Sequence, residues 1–207
     1  RRAAERIGGP APDFAPHVKG LELPGYEPRA LQTMALGFAV GSRGADHNRS
    51  GAYEVDFSAA ADRLHGSPEA ARRAVATEDR AALMDSLILC KFLRGVFTDF
   101  YQEAAQLLRH VTGWDVTAEE LHRTARRIVS AKKLYNVREG WTRAEDTLPA
   151  RFLSEELSVN GDSAAILPRA RLDAMIEAYY EARGWTQSGG VPAALARELG
   201  LDLMVVS

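Results

Sequence analysis

Residues 81–108 read Ala81-Ala82-Leu83-Met84-Asp85-Ser86-Leu87-Ile88-Leu89-Cys90-Lys91-Phe92-Leu93-Arg94-Gly95-Val96-Phe97-Thr98-Asp99-Phe100-Tyr101-Gln102-Glu103-Ala104-Ala105-Gln106-Leu107-Leu108. The stretch is apolar almost all round at its start and becomes amphipathic through Phe92, Val96, Phe97, Phe100 and Ala104. Apolar positions at helical spacing make a buried stripe, and apolarity on every side means burial between neighbours. It reads as the buried helical centre of a domain. Upstream, Ser67-Pro68-Glu69 is a helix start, with Ser67 as N-cap, Pro68 at the first helical position and Thr77 available to cap a following segment. Downstream, Thr117-Ala118-Glu119-Glu120 fits a capping box for a helix running to about Lys133. Pro168–Arg183 and Pro192–Leu199 read as helices ended by Gly184 and Gly200. Ala30–Val40, with Leu31, Met34, Leu36 and Phe38, reads as a short apolar helix. The stretches Gly41–Gly51 and Tyr135–Trp141 read as loops. No β-branched run appears before Leu203-Met204-Val205-Val206, and no repeat is visible. The fold class is mainly α, an irregular multi-helix domain with long loops.

Composition narrows the function. Hydrophobic residues make up 46% of the 207 and charged residues 26%, values of an ordinary globular chain. The formal net charge is −2, too little positive charge to hold a polyphosphate backbone, so nucleic acid is not an expected partner. Apolar runs fall well short of the ~18 residues a membrane span needs, so no membrane is expected either. The single cysteine, Cys90, excludes a disulfide framework and suits a reducing compartment. Residues 1–28 are rich in proline and glycine and read as an extended connector. The opening Arg1-Arg2-Ala3-Ala4-Glu5-Arg6 reads as the tail of a helix belonging to something longer.

Local catalytic signatures such as a phosphate loop, a Gly-x-Gly-x-x-Gly turn, a nucleophile elbow or His-Glu-x-x-His are absent from the sequence. Three polar features remain. An aspartate in a run as apolar as Asp85-Ser86-Leu87-Ile88-Leu89-Cys90-Lys91-Phe92 costs several kcal/mol if buried without partners. Asp85 and Cys90 lie about 140° apart on an ideal helix, so a turn before Cys90 would be needed to aim both at one ligand. The alternative is a core cysteine beside an aspartate that caps the next helix. His47, beside Asp46 and between Arg43 and Arg49, is either an acid/base group over a pocket or part of a solvated loop. The clusters 136–141 and 179–185 either line a pocket or pack helix ends against neighbours. His17, His65, His110 and His122 have no ligand spacing and read as surface or packing residues.

Six pieces of sequence carry a family resemblance. They are Leu23-Pro24-Gly25-Tyr26-Glu27-Pro28-Arg29, Ser42-Arg43-Gly44-Ala45-Asp46-His47, Asp85 through Phe92, Tyr135-Asn136-Val137-Arg138-Glu139-Gly140, Asp146-Thr147-Leu148-Pro149-Ala150-Arg151-Phe152, and Tyr179-Tyr180 through Gly184-Trp185. In this order they resemble the C-terminal part of the tungsten-dependent aldehyde ferredoxin oxidoreductases, over roughly residues 19–200. The resemblance implies the C-terminal helical domain of a larger tungstopterin enzyme, with residues 1–28 as connector or tail of a preceding domain and 29–207 as a helical cofactor-covering domain. It implies that Asp85-Ser86-Leu87-Ile88-Leu89-Cys90 is one of two Asp-x-x-Gly-Leu-(Cys/Asp) motifs around a tungsten bis-pterin, with Ile88 where the pattern has glycine. In that motif Asp85 accepts pterin N–H groups, Leu89 belongs to the cofactor-binding turn, and Cys90 is one of four thiolates on a [4Fe–4S] cluster. His47 corresponds to a histidine near the metal and the substrate carbonyl, and Arg49 supports that loop and the cofactor.

Such an enzyme oxidises aldehydes to carboxylic acids and passes electrons singly through the cluster to ferredoxin, which suits a cytoplasmic setting. One cysteine cannot hold the cluster, so this segment alone is expected to be inactive. It is read as part of a longer chain, with an N-terminal remainder, or as a complementary subunit of a split enzyme. The alternatives are a stand-alone helical binding or structural module, and part of a sister enzyme that reduces aromatic acyl-CoA thioesters.

Overall fold

The computed structural model describes residues 1–159 and 163–204. Among the described residues there are ten α-helices and two short antiparallel hairpins, which makes the protein mainly α. The helices are α1 Arg2–Ile7, α2 Gln32–Val40, α3 His47–Ser50, α4 Tyr53–Asp56, α5 Pro68–Ser86, α6 Phe100–Thr112, α7 Ala118–Arg138, α8 Ala150–Ser154, α9 Arg169–Arg183 and α10 Ala193–Glu198. The hairpins pair β1 His17–Val18 with β2 Leu21–Glu22, and β3 Leu157–Val159 with β4 Ser163–Ala165.

All nine residues of α2 are buried, so this short helix is the axis of the main core. Its polar N-terminal end is satisfied from elsewhere in the chain. Asp56 accepts the Thr33 and Met34 backbone N–H groups at 3.0 and 2.8 Å, capping α2 from the end of α4. Gln32, fully buried, donates to the carbonyls of Arg29 and Ile166 and accepts from Gly66 N–H and Arg171. Each bond relieves a buried group that would otherwise cost about 1–3 kcal/mol. Around α2, helix α5 packs against α9, α7 and α3. The ends of α5, α6 and α7 make a second apolar cluster through Leu83, Met84, Phe100, Ala104 and Leu121, and α7 meets α10 through Leu134 and Leu199.

The elements start where the sequence chemistry says. Ser67 Oγ accepts from Ala70 N–H ahead of Pro68. Thr117 and Glu120 form the reciprocal capping box, at 3.1 and 2.9 Å. Gly184 ends α9 in the left-handed conformation.

Several expectations are corrected. Residues 81–108 are not one buried unit, because α5 stops at Ser86 and α6 begins at Phe100. Between them Ile88 and Phe92 are 92% and 94% exposed. Thr77 caps nothing and lies inside α5, where its hydroxyl donates to the carbonyls of Ser50 and Ala74. The stretch 41–51 contains helix α3, and α7 continues through Tyr135–Arg138. Residues 202–204 form a 3-10 turn, not a strand, while Val205 and Val206 lie outside the described residues. The two hairpins are too short to show period-2 alternation. Residues 1–28, whose prolines read as extended chain, carry α1, a 3-10 turn at Ala11–Phe14 and the β1–β2 hairpin.

That hairpin delivers Lys19 to the interior. Lys19 and Gly20 both have positive φ, 52° and 85°, as a two-residue turn of this hand requires. The Lys19 ammonium donates to Ala39 O at 2.6 Å and Gly41 O at 3.0 Å, closing the C-terminus of α2, and reaches Asp146 Oδ1 at 2.6 Å. Asp146 is 1% exposed and also accepts from Lys133 at 2.9 Å and from the Tyr180 hydroxyl. Burial pushes its carboxyl up, but the two lysines outweigh it and hold it below the ordinary value. Gly44 fits the same joint, since a Cβ there would lie 1.9 Å from Val18 O.

Removing the carboxylate strands two buried ammonium groups. The Asp146→Asn protein should lose roughly 3–5 kcal/mol of stability at pH 7, read from its urea midpoint. Because the folded carboxyl lies below its unfolded value, this contribution is complete above about pH 4 and is lost as pH falls through the folded value. The variant should therefore show a shallower acid limb. A loss under about 1 kcal/mol would show that Asp146 does not hold the joint.

Candidate functional site

The way α5 ends sets the site. Ile88 N–H donates to Asp85 O at 3.2 Å and Leu89 N–H to Met84 O at 2.9 Å, the two bonds of a Schellman turn. The same paired bonds end α7 at Gly140, α9 at Gly184 and α10 at Gly200. Those glycines have φ of 90°, 70° and 69°, and here Ile88 holds the equivalent position at φ 57°. A side chain with a Cβ in this region costs about 1–2 kcal/mol, and Ile88 is too exposed for packing within the chain to offset it.

The turn separates the residues that follow. Leu89 folds back against the Leu83 and Met84 cluster and anchors the turn. Cys90 comes out exposed and free, so the core-cysteine alternative does not hold. Nor does Asp85 cap the next helix, because Asp99 accepts Gln102 N–H at the start of α6. Asp85 instead remains at the end of α5, half-buried, with Arg49 Nη1 2.6 Å from Oδ2 and Lys91 Nζ 2.9 Å from Oδ1. Lys91 also donates to Ala81 O at 2.7 Å.

His47 opens the four-residue helix α3 across from this turn. Asp46 caps it by accepting Asn48 N–H at 2.9 Å and pairs with Arg43 at 2.9 Å. The His47 ring lies 5.1 Å from that of Tyr26 and 6.2 Å from that of Tyr53, and these tyrosines stack on each other at 5.3 Å and 16°. Arg94 sits over Tyr53 at 5.1 Å. Asp46, His47, Arg49, Asp85 and Lys91 thus line one cleft of about 450 Å³. Lys132, half-buried on α7, has its ammonium pushed down by burial and by Arg49, with Lys91 adding to it. The surroundings of Asp85 are cationic.

The structure brings four sequence-predicted residues to this region: His47, Arg49 and Asp85 in the cleft, and Cys90 on the adjoining surface. Leu89 supports them from below. It also adds residues that the sequence reading assigned no separate role: Tyr26, Tyr53 and Lys91. Tyr26 was visible within the Leu23–Arg29 piece, but its ring contact with His47 spans 21 residues and needs the fold. In the third sequence feature the 179–185 cluster packs, while Tyr180 and Trp185 also line a cleft of about 500 Å³ with Arg72 and Glu181. Tyr179, Tyr180, Arg183 and Trp185 are buried, with Arg183 paired to Glu78 and Asp79. Asn136 donates to Ser42 O at 2.7 Å and so braces the loop before His47. His65 pairs with Asp62 on the surface, and His122 stacks on Tyr101. A larger cleft of about 650 Å³ lies between residues 10–17 and α8, where prolines dominate and Arg151 is paired with Glu155.

The family model described as aldehyde ferredoxin oxidoreductase, domains 2 & 3, matches residues 1–201. Among curated relatives, the tungsten-containing aldehyde ferredoxin oxidoreductases of Thermococcus kodakarensis and Pyrococcus furiosus are each 34% identical over 97% of this chain. That of Pyrococcus abyssi is 32% identical over the same share. The chain spans about a third of the length of these relatives, 33% in each case. Among solved structures, the chain is similar in fold to the active site complex BamBC of benzoyl coenzyme A reductase in complex with 1,5-dienoyl-CoA. The TM-score is 0.63 at 16% identity, over 98% of this chain and 35% of that one.

The strained turn makes a direct prediction. Ile88→Gly should relieve the backbone and, after glycine's own entropic cost, stabilise the protein by about 0.5–1 kcal/mol. Ile88→Ala keeps a Cβ and should not. A destabilised Ile88→Gly protein in urea unfolding would show that the isoleucine is held by contacts that outweigh the strain.

Proposed function

We propose that this chain, which belongs to the aldehyde ferredoxin oxidoreductase family, forms one wall of a tungsten bis-pterin and [4Fe–4S] site that oxidises small aldehydes to carboxylic acids with ferredoxin as acceptor. The observation that carries the reading is the turn at Ile88. It leaves Asp85 in the cleft with His47 and Arg49, and Cys90 on the surface beside it. The side chains fit the cofactors as partial holders. The Asp85 carboxylate can accept pterin N–H groups, and Arg49 supports it. Leu89 fixes the backbone of the turn. Cys90 is an unpaired, exposed thiol, able to supply one thiolate of the four such a cluster takes. Among the described residues no three His, Cys, Asp or Glu side chains gather as a metal site. The other ligands therefore come from the remainder of the enzyme or a complementary subunit.

When bound, the cofactors supply oxygen transfer and the uptake of two electrons. The work left to this chain is positioning and proton handling. The Asp46 cap fixes the start of α3, which carries His47, and the His47 ring lies beside the Tyr26–Tyr53 stack and lines the cleft. From there a ring N–H donates to the aldehyde oxygen and polarises the carbonyl, or the ring shuttles a proton. The tyrosine rings exclude water from one side of that ring. Ile88 and Phe92, each two residues from Cys90, and Val96 farther along are exposed at 92%, 94% and 68%, apolar surface that the rest of the enzyme covers. In this reading residues 29–207 are the cofactor-covering domain and residues 1–28 lead in from a preceding one. No described helix is long and apolar enough to cross a membrane.

Two variants of the full-length enzyme test this. His47→Ala should lower kcat for aldehyde oxidation by about 100-fold or more while tungsten stays bound, and unchanged kinetics would remove His47 from the reaction. Cys90→Ser should lose iron and ferredoxin reduction together, and full retention of both would refute the thiolate. An enzyme that reduces aromatic acyl-CoA thioesters and leaves aldehydes untouched would replace the proposed reaction.

A further inference from the structure

Neither the motif nor the family resemblance assigns a role to Lys91, yet its ammonium is among the most tightly tethered groups of the cleft. It lies 2.9 Å from Asp85 Oδ1 and donates to Ala81 O at 2.7 Å, with its side chain 18% exposed. Arg49 holds the other carboxylate oxygen, Oδ2, at 2.6 Å. An ionised carboxylate has about four acceptor sites, two on each oxygen. One site on each is taken by a cation, which leaves one on each for a ligand. The two inner (syn) sites of a carboxylate lie side by side in its plane and match two adjacent N–H donors on the edge of a planar heterocycle.

A terminal sp³–sp² torsion is broad, so a carboxylate held at one oxygen still swivels. The second cation stops this, and the bond to Ala81 O ties the cation to the last turns of α5. Lys91 also directly follows Cys90, so the same tether restrains the segment that carries the thiol.

We propose that Lys91 is a positioning residue of the site. It locks Asp85 as a two-point acceptor for the N–H edge of the pterin and registers that acceptor to the Cys90 turn. The proposal rests on the reading of Asp85 given above, and its test separates the two. In the loaded full-length enzyme, the rate at which pterin is lost on dialysis is followed by the fluorescence of the released, oxidised pterin. Lys91→Met keeps the aliphatic stem and removes the charge, and it should release pterin about 10- to 100-fold faster than wild type. Lys91→Arg should stay within about threefold. In the Asp85→Asn background, Lys91→Met should add nothing further, because it acts through the carboxylate.

Release at the wild-type rate from Lys91→Met, with fast release from Asp85→Asn, would overturn the role of Lys91 and leave that of Asp85. Multiplying effects in the double variant would show that Lys91 acts elsewhere. Equal losses of melting temperature and of pterin in Lys91→Met and Lys91→Arg would make the residue structural only. An Asp85→Asn enzyme that keeps its pterin like wild type would overturn the reading of Asp85 and the role of Lys91 with it.

Discussion

Two buried ammonium groups share one buried carboxylate at Asp146, and five segments of chain meet there. Lys19 comes from the β1–β2 hairpin, Lys133 from α7 and Tyr180 from α9, and through Lys19 the C-terminus of α2 is closed. Charges withdrawn from water to this degree are tolerable only with every partner in place. The arrangement therefore specifies one geometry more than it adds stability. The segment it fixes most directly is the one leaving α2, residues 41–46, whose end positions His47. Gly44 lies against Val18 in the same joint, so the hairpin and the site loop cannot move independently.

The other half of the site is set by the end of α5. Three other helices of this chain use glycine for the same paired-bond ending, and α5 uses isoleucine. Backbone strain of this kind persists where surrounding structure over-determines it, and it clusters at functional sites. Here the anchors are Leu89 in the second apolar cluster and Lys91 on Asp85 and Ala81. The joint at Asp146 and the turn at Ile88 meet across the Arg49–Asp85 ion pair, which bridges α3 to α5. His47 and the Asp85–Cys90 turn, 38 residues apart in the sequence, thereby gain fixed relative positions without belonging to one element.

Much of the fold was legible because it depends on local chemistry. Ser67, Thr117, Gly184 and Gly200 are read correctly since a cap or a left-handed stop involves only a few neighbouring residues. The error at 81–108 has a different cause. Apolarity there signals burial, but Ile88 and Phe92 are exposed in this chain, and the surface that covers them is proposed to lie elsewhere in the enzyme. Asp146 was visible only as part of a quoted motif, since its partners stand 127, 13 and 34 residues away. The same limit hid the ring contacts of Tyr26 with His47. Lys91 lay in plain view beside Cys90, but a lysine carries no signature until its acceptors are known. The requirement for a turn before Cys90 was legible from helical geometry, and Ile88 supplies it.

The central claim is that this chain completes a tungsten and iron–sulfur site with residues outside it. Its most direct test is the metal content of the full-length protein, purified without oxygen and weighed against protein by amino-acid analysis. The account predicts about one tungsten and about four iron atoms per chain. Iron without tungsten, or a folded full-length protein that takes up neither metal when both are supplied during expression, would contradict it.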